Sequence, residues 1–208
     1  MILDPFATPI LLGHVDDEAL AGEITERLVR EAASSPTVRR SIVGGWHGPP
    51  DLPARQDACW KALVRTILRG VRELVEHRAQ AVGAGLPELT FTAQGWGTVL
   101  RAGGYSEPHD HADAHWSAVW YADPGDPSPA HAPTAGRLVF LDPRGAIGAG
   151  GPVDLFPRTC VVTPERGLLV VFPGWLTHHV HPYAGERPRV SVACNVMVRA
   201  RSITPQPG

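Results

Sequence analysis

Apolar residues recur at helical spacing in two segments of the first half of the chain. In residues 16–31, Leu20, Ile24 and Leu28 follow one another four positions apart, and acidic residues at the start of the segment can cap a helix. In residues 57–78 a nearly unbroken stripe of large apolar side chains occupies one helical face, and lysines and arginines fill the other. The pattern predicts two amphipathic helices, each burying one face against another layer.

The second half of the chain has a different pattern. From about residue 86, short β-branched or aromatic runs alternate with turns rich in glycine and proline. The runs are LTFTAQGWGTVL, WSAVWYA, GRLVFLD, TCVVT, GLLVVF and RVSVACNVMV. This pattern predicts a β-sandwich or barrel core over residues 86–200, with the helical part, residues 1–85, packed outside it. We expect a single domain over residues 1–208.

Composition narrows the class of protein. Hydrophobic residues make up 43% of the 208 residues, enough for a sizeable core, and the net charge of −2 gives no indication of nucleic acid or an anionic membrane as partner. The longest apolar run, at 167–176, is too short to span a bilayer, and the first residues lack the basic region of a signal peptide. We therefore expect a soluble protein.

The cysteines indicate the cellular compartment. There are three, an odd number without paired spacing, which is typical of proteins from a reducing cytoplasm. Cys160 and Cys194 lie in predicted strands, and we expect both to be small, buried and unreactive.

Six of the ten histidines lie in two short clusters, SEPHDHADAH (106–115) and THHVH (177–181). Side chains two apart in a strand point to the same side, so His109 and His111 can face one point and Asp113 can extend the row. Imidazole and carboxylate groups are the ligands of divalent transition metals. The second cluster offers a third ligand in His178, directly after an apolar run and a Pro-Gly turn. If the clusters meet, they predict a metal site; if not, the first is a solvated loop.

Six segments, in this order, resemble one family. They are WGTVLRAGGY (96–105), PHDH (108–111), WSAVWY (116–121), GRLVFLDPR (136–144), GLLVVFPGWLTH (167–178) and PRVSVACN (188–195). Together they are similar to the small 2-oxoglutarate/Fe(II) oxygenases of the double-stranded β-helix superfamily, over residues 90–198. The resemblance implies a cupin-like jelly roll for the β core, with Fe(II), 2-oxoglutarate and O2 as cofactors and cosubstrates.

The resemblance also implies the metal ligands. Superfamily members bind iron through a His-x-Asp/Glu pair and a distal histidine. His109 then matches the first ligand and His178 the distal one, which puts His111 where the superfamily has a carboxylate. Two ligand sets follow: an all-histidine triad of His109, His111 and His178, which we expect, and a shifted frame that replaces His109 with Asp113.

Arg189 and Ser191 resemble the Arg-x-Ser pair with which many of these enzymes bind the far carboxylate of 2-oxoglutarate. The chemistry agrees with this role, because a guanidinium makes two parallel bonds to a carboxylate and a hydroxyl two positions along a strand faces the same way. Alternate apolar residues from 190 to 196 form the opposite, core-like face. Arg187 has the same parity as Arg189 and is the second choice.

The sequence thus favours an Fe(II)/2-oxoglutarate-dependent dioxygenase that hydroxylates a C–H bond of a small molecule or a peptide. His115 and Asn195 are further candidates for substrate contacts, and we expect the loops at 46–56 and 123–135 to shape the pocket. Two alternatives stay open. One is a cupin-type metal dioxygenase or isomerase without 2-oxoglutarate, and the other is a metal-free β-barrel binding module. Neither the substrate nor the oligomeric state follows from the sequence.

Overall fold

The computed structural model describes residues 6–126, 133–144 and 157–201. Within them, the helices are α1 (Glu18–Ser34), α2 (Ala58–Ala81) and a short 3-10 turn, Leu52–Ala54. The strands are β1 (Leu11–His14), β2 (Ile42–His47), β3 (Leu89–His109), β4 (Trp116–Asp123), β5 (Leu138–Leu141), β6 (Thr159–Val162), β7 (Leu168–Pro173), β8 (His178–Val180) and β9 (Arg189–Ala200). Both predicted helices are confirmed, with ends that differ from the prediction by three residues at most.

The strands form one curled antiparallel sheet in the order β1-β7-β4-β9-β3-β8-β5-β6, with β2 paired to β3. The long strand β3 belongs to both sides of the curl. Its residues 89–100 pair with β9, whereas Ser106 and His109 pair with β8. The chain turns between these two parts at Gly103, whose φ of 83° lies in the left-handed region that favours glycine. The C-terminal part of β3 therefore lies on the other side of the curled sheet, next to β8.

Two apolar layers hold this arrangement. The helices α1 and α2 cover the outside of the sheet, where they bury Ile24, Leu28 and Trp60. On β9, the residues facing these helices are at most 1% exposed: Val190, Val192, Cys194 and Val196. A second cluster, which includes Phe140 and Phe172, fills part of the inside of the curl. Because side chains alternate along a strand, Arg189 and Ser191 face inward, as the alternation predicted.

Three strands were not predicted. β1 and β2 arise in the part expected to be helical and pair with β7 and β3, so residues 1–85 are not only a helical layer. β8 has three residues, too few for a periodic pattern. Of the loop predicted at 123–135, residues 127–132 lie outside the described part. The single domain over residues 1–208 stays a prediction.

The cysteine prediction is half correct. Cys194 is fully buried on β9, as expected, and burial raises its pKa to about 12. The prediction was wrong for Cys160, which is exposed because only the last residue of β6 is buried. Among the described residues, no helix has the length and apolar character needed to cross a membrane.

Candidate metal centre and cosubstrate pocket

The two histidine clusters meet inside the curl. His109, the last residue of β3, is the register partner of His178, the first residue of β8. His111 completes a group in which one ring nitrogen from each histidine lies within 4.8 Å of the others. The ring centroids are separated by 4.4 Å for His109 and His178, 5.0 Å for His109 and His111, and 5.2 Å for His111 and His178. One metal ion can therefore contact all three rings.

His111 reaches this group from a turn, and not from a strand as expected. Its N–H donates to the Gly174 carbonyl at 2.7 Å, and the Ala114 N–H donates to the His111 carbonyl at 2.8 Å. Gly174 has to approach this turn closely, since a Cβ at residue 174 would lie 2.2 Å from the Ala114 carbonyl oxygen. The Pro-Gly turn before His178 thus also fixes the position of His111.

Backbone hydrogen bonds set the tautomers of two of the rings. Nδ1 of His109 donates to the Glu107 carbonyl at 2.7 Å, and Nδ1 of His178 donates to the Leu176 carbonyl at 2.9 Å. Each ring then has an unprotonated Nε2, which is the arrangement usual for metal-binding histidines. Nε2 of His109 lies 3.2 Å from the Ser41 hydroxyl.

The environment keeps the three imidazoles neutral. Burial lowers the pKa of His109, and it lowers the pKa of His111 to about 4 and that of His178 to about 3. The neighbouring His109 ring further lowers the pKa of the other two, because two positive charges so close together repel each other. At neutral pH the lone pairs are available, as metal binding requires.

The other residues proposed for the first cluster lie elsewhere. Asp113 is exposed and does not belong to the group of ring nitrogens. His115 is also exposed, and its Nδ1 accepts a hydrogen bond from the Val198 N–H at 3.1 Å, which directs the ring along the end of β9. The structure therefore brings together His109, His111 and His178, and leaves the carboxylate of the shifted frame outside.

The three histidines open into a cavity between the two sides of the curl. The cavity has a volume of about 70 Å³. That corresponds to roughly five waters, at about 10–15 Å³ each. Arg189, Ser191, Tyr121 and Asn195 also line it. The cavity thus brings the predicted metal ligands and the predicted cosubstrate residues together.

Arg189 is a buried cation without a counter-charge. It is 2% exposed, and no carboxylate lies within salt-bridge distance among the described residues. Its guanidinium stacks over the Tyr121 ring at 4.9 Å and donates to the Ser191 hydroxyl at 3.5 Å, while Nε has no hydrogen-bond partner. The buried Tyr121 hydroxyl likewise has no partner. Unpaired buried polar groups are costly, so this end of the cavity suits an anionic ligand.

Arg187, the second choice, is arranged differently. Its side chain is 59% exposed and lies 3.4 Å from the Asp123 carboxylate. Its Nη2 donates to the Gly125 carbonyl at 2.9 Å. It does not line the cavity.

Sequence reasoning missed several residues that line the cavity, among them His47 and Ser117. His47, at the end of β2, is 6% exposed and stacks on Trp96 with ring centroids 5.2 Å apart. The buried Ser117 on β4 donates to the Asn195 side-chain oxygen at 2.8 Å. Ser117 lies in the segment WSAVWY, but its role there was not predicted, and the positions of both residues follow from the pairing of β2 with β3 and of β4 with β9.

The curled sheet holds three convergent histidines and a buried arginine in one cavity, with His111 at the position where the 2-oxoglutarate/Fe(II) oxygenases have a carboxylate. Residues 94–195 match the family described as "Putative 2OG-Fe(II) oxygenase". The matched segment contains the whole cavity lining that comes from β3, β4, β8 and β9, and the predicted resemblance is confirmed. Fe(II) and 2-oxoglutarate, the predicted cofactor and cosubstrate, are those that define the family.

Solved structures of low sequence identity share the fold. A Pseudomonas putida prolyl-4-hydroxylase is 21% identical over 94% of both chains, with a TM-score of 0.59. HygX from Streptomyces hygroscopicus, solved with nickel and 2-oxoglutarate, is 15% identical over 90% of this chain and 83% of its own, with a TM-score of 0.56. SnoN, a non-heme alpha ketoglutarate dependent epimerase from nogalamycin biosynthesis, is 13% identical over 94% and 82%, with a TM-score of 0.61. These similarities confirm the predicted fold class. No curated protein sequence matches the chain.

Proposed function

We propose that this protein is an Fe(II)- and 2-oxoglutarate-dependent dioxygenase that hydroxylates a C–H bond. One observation carries the proposal: the unpaired guanidinium of Arg189 lies buried in the same cavity as three neutral, convergent imidazoles. A metal site alone fits many proteins, and so does a buried arginine. Their presence in one enclosed space fits a ligand that has a carboxylate at one end and binds metal at the other.

His109, His111 and His178 are the proposed iron ligands. Imidazole nitrogen is a suitable donor for iron, and the backbone bonds to the Nδ1 atoms of His109 and His178 hold both rings in the tautomer that presents Nε2. Three ligands on one side leave the other side of an ion free for cosubstrate and oxygen. The triad has no carboxylate, so the bound ion keeps its full charge and favours an anionic cosubstrate.

Arg189 and Ser191 are the proposed anchor for the far carboxylate of 2-oxoglutarate. The guanidinium can form two charge-assisted hydrogen bonds, and the Ser191 hydroxyl lies on the same face two residues further along β9. The Tyr121 hydroxyl, buried beside Arg189 without a partner, is available as a third donor. These contacts would give a hydrogen-bond partner to buried polar groups that have none within the described part of the protein.

When bound, iron and 2-oxoglutarate supply the oxidising chemistry: one oxygen atom of O2 enters the substrate C–H bond, and the other enters succinate as CO2 is released from 2-oxoglutarate. The side chains of the protein bind the metal and the cosubstrate and orient them. The three histidines fix the position of the metal, and Arg189 fixes the orientation of the cosubstrate relative to it. Apolar walls such as Phe172 and Val119 limit water around the reacting atoms.

Enzymes with similar folds catalyse different reactions, since a prolyl-4-hydroxylase and an epimerase are both among the similar solved structures. We propose hydroxylation of a small molecule or a peptide as the reaction. We also propose a cytoplasmic setting, supported by the cysteines Cys59, Cys160 and Cys194, all free thiols.

The proposal is tested by anaerobic loading of the purified protein with Fe(II), followed by 2-oxoglutarate, ascorbate and oxygen, with succinate as readout. We expect slow succinate formation without added substrate, and no succinate when Fe(II) is omitted or N-oxalylglycine is present. Binding of metal without binding of N-oxalylglycine would instead favour the cupin-type enzyme. Absence of metal binding would favour the metal-free binding module.

A further inference from the structure

The cavity has a second polar end, distinct from the Arg189 end. Asn195 and Arg189 face the same side of β9 and are six residues apart, which corresponds to about 20 Å along a strand. Trp96 lies between them, as the register partner of Ala193, and its ring is in edge contact with the His111 ring. Asn195 therefore lies past Trp96 from Arg189, further along β9 than a 2-oxoglutarate molecule held by Arg189 extends.

The side chain of Asn195 has a defined orientation. Ser117 is its register partner on β4, and the buried Ser117 hydroxyl donates to the Asn195 side-chain oxygen at 2.8 Å. With the oxygen engaged, the Nδ2 group is the part of the amide that can donate to a ligand in the cavity. Asn195 is the one asparagine in the sequence.

The lining offers no side chain that would neutralise a charged substrate group. Among the described residues that line the cavity, Arg189 is the one with a permanent charge, and the proposed cosubstrate pairs with it. The other polar groups of the lining are hydroxyls, the Asn195 amide and imidazoles. One of these imidazoles belongs to His47, and burial lowers its pKa. The chain outside the described residues contains no lysine or arginine. Within the described lining, a buried ammonium or a second carboxylate would thus lack a counter-charge.

We propose that Asn195, held by Ser117, is a specificity-determining residue that donates a hydrogen bond to an uncharged carbonyl or hydroxyl oxygen of the substrate. The inference rests on the proposed function and extends it to the substrate class. The part of the substrate that enters the cavity carries a neutral oxygen acceptor, and not an ammonium or a carboxylate group. His47 and Trp96, stacked beside His111, form the adjoining flat wall.

The test uses the whole protein loaded with Mn(II) and saturating 2-oxoglutarate, with three small probes: N-methylacetamide, methylammonium and acetate. Paramagnetic relaxation of the probe protons reports how closely each approaches the metal. We expect N-methylacetamide to relax more strongly than the charged probes, by about fivefold, the size expected for one hydrogen bond. The Asn195→Leu variant should remove this excess.

Two variants make the test sharper. Asn195→Asp places a carboxylate at the same position and should transfer the preference to methylammonium. Gln80→Ala removes an exposed amide at the end of α2, away from the cavity, and should leave all three probes unchanged. Equal relaxation of the probes, or a preference for a charged probe in the unmodified protein, overturns the proposal.

Electron paramagnetic resonance of each sample reports Mn(II) binding, and 2-oxoglutarate binding is measured separately by calorimetry. If either fails in the unmodified protein, the proposed function is wrong and this inference falls with it. If both succeed and the amide preference is absent, only the assignment of Asn195 is wrong. Retained Mn(II) binding in the Asn195 variants also shows that they are folded.

Discussion

His109 and His178 are register partners across β3 and β8, and their ring centroids lie 4.4 Å apart although the two residues are 69 positions apart in the chain. The pairing exists because β3 crosses from one side of the curled sheet to the other. Its first part pairs with β9, which carries Arg189, and its last part pairs with β8. The metal centre thus lies at the last residue of β3, and the cosubstrate anchor lies beside Leu100, near the middle of the same strand.

The first prediction concerns the choice between the two ligand sets. His178→Ala should lower metal binding at least about tenfold, because a two-ligand site remains where three ligands converge. Asp113→Ala should leave metal binding unchanged, since that carboxylate is exposed and outside the group. Metal per chain is measured by mass spectrometry after anaerobic loading and gel filtration. Loss of metal in Asp113→Ala would support the shifted frame.

The second prediction concerns the buried charge of Arg189. Without ligands, Arg189→Met should be more stable than the unmodified protein by about 1 kcal/mol or more, because it replaces an unpaired buried cation with an apolar side chain. With Mn(II) present, 2-oxoglutarate should raise the stability of the unmodified protein and not that of the variant. Both effects are measured by urea denaturation.

The matched control for this experiment is Arg187→Met. Arg187 is exposed and bonded to Asp123 and Gly125 outside the cavity, so its removal should leave the stabilisation by 2-oxoglutarate intact. A variant at Arg189 that still responds to 2-oxoglutarate as strongly as the unmodified protein would show that the anchor lies elsewhere.

The third prediction concerns Gly174. A methyl group there would overlap the Ala114 carbonyl and lie 2.8 Å from the His111 carbonyl, so Gly174→Ala must displace the turn that holds His111. We expect about tenfold weaker metal binding and a loss of about 1–3 kcal/mol in the free energy of unfolding. Gly22→Ala is the control, because a Cβ at that position in α1 meets nothing within 4 Å. Unchanged metal binding in Gly174→Ala would contradict the role of this contact.

The fourth prediction concerns the thiols. Cys194 is buried with a pKa of about 12, and burial raises the pKa of Cys59, whereas Cys160 is exposed. A disulfide reagent at pH 8 should therefore modify one thiol in the native protein and three after denaturation. Cys160→Ser should abolish the native reaction. Rapid modification of two thiols in the native state would show that a core cysteine is accessible.

The inward direction of Arg189 and Ser191 could be predicted because alternation along one strand is a local property. Valine and cysteine occupy the intervening positions of β9, and their burial against the helices leaves the other face to the cavity. The choice of His178 could be predicted from its place directly after a buried apolar run. In each case the residue and the pattern that positions it are close together in the sequence.

Contacts between distant segments could not be predicted in the same way. His111 joins the triad through a turn that depends on Gly174, and the strand assumed for residues 109–113 ends at His109. His47 becomes a cavity residue only because β2 pairs with β3. Cys160 has the same residue type as Cys194, but it lies in a short strand of which only the last residue is buried. These outcomes depend on pairing partners, which one segment alone does not specify.

The pairing of β3 with both β9 and β8 has a consequence for how the protein matures. A nascent chain that still lacks β8 and β9 has at most two of the three imidazoles, and it lacks the Arg189 guanidinium. The protein therefore binds metal strongly only after β8 has been synthesised and the curled sheet has closed. A product truncated before β8 would therefore remain free of the redox-active ion.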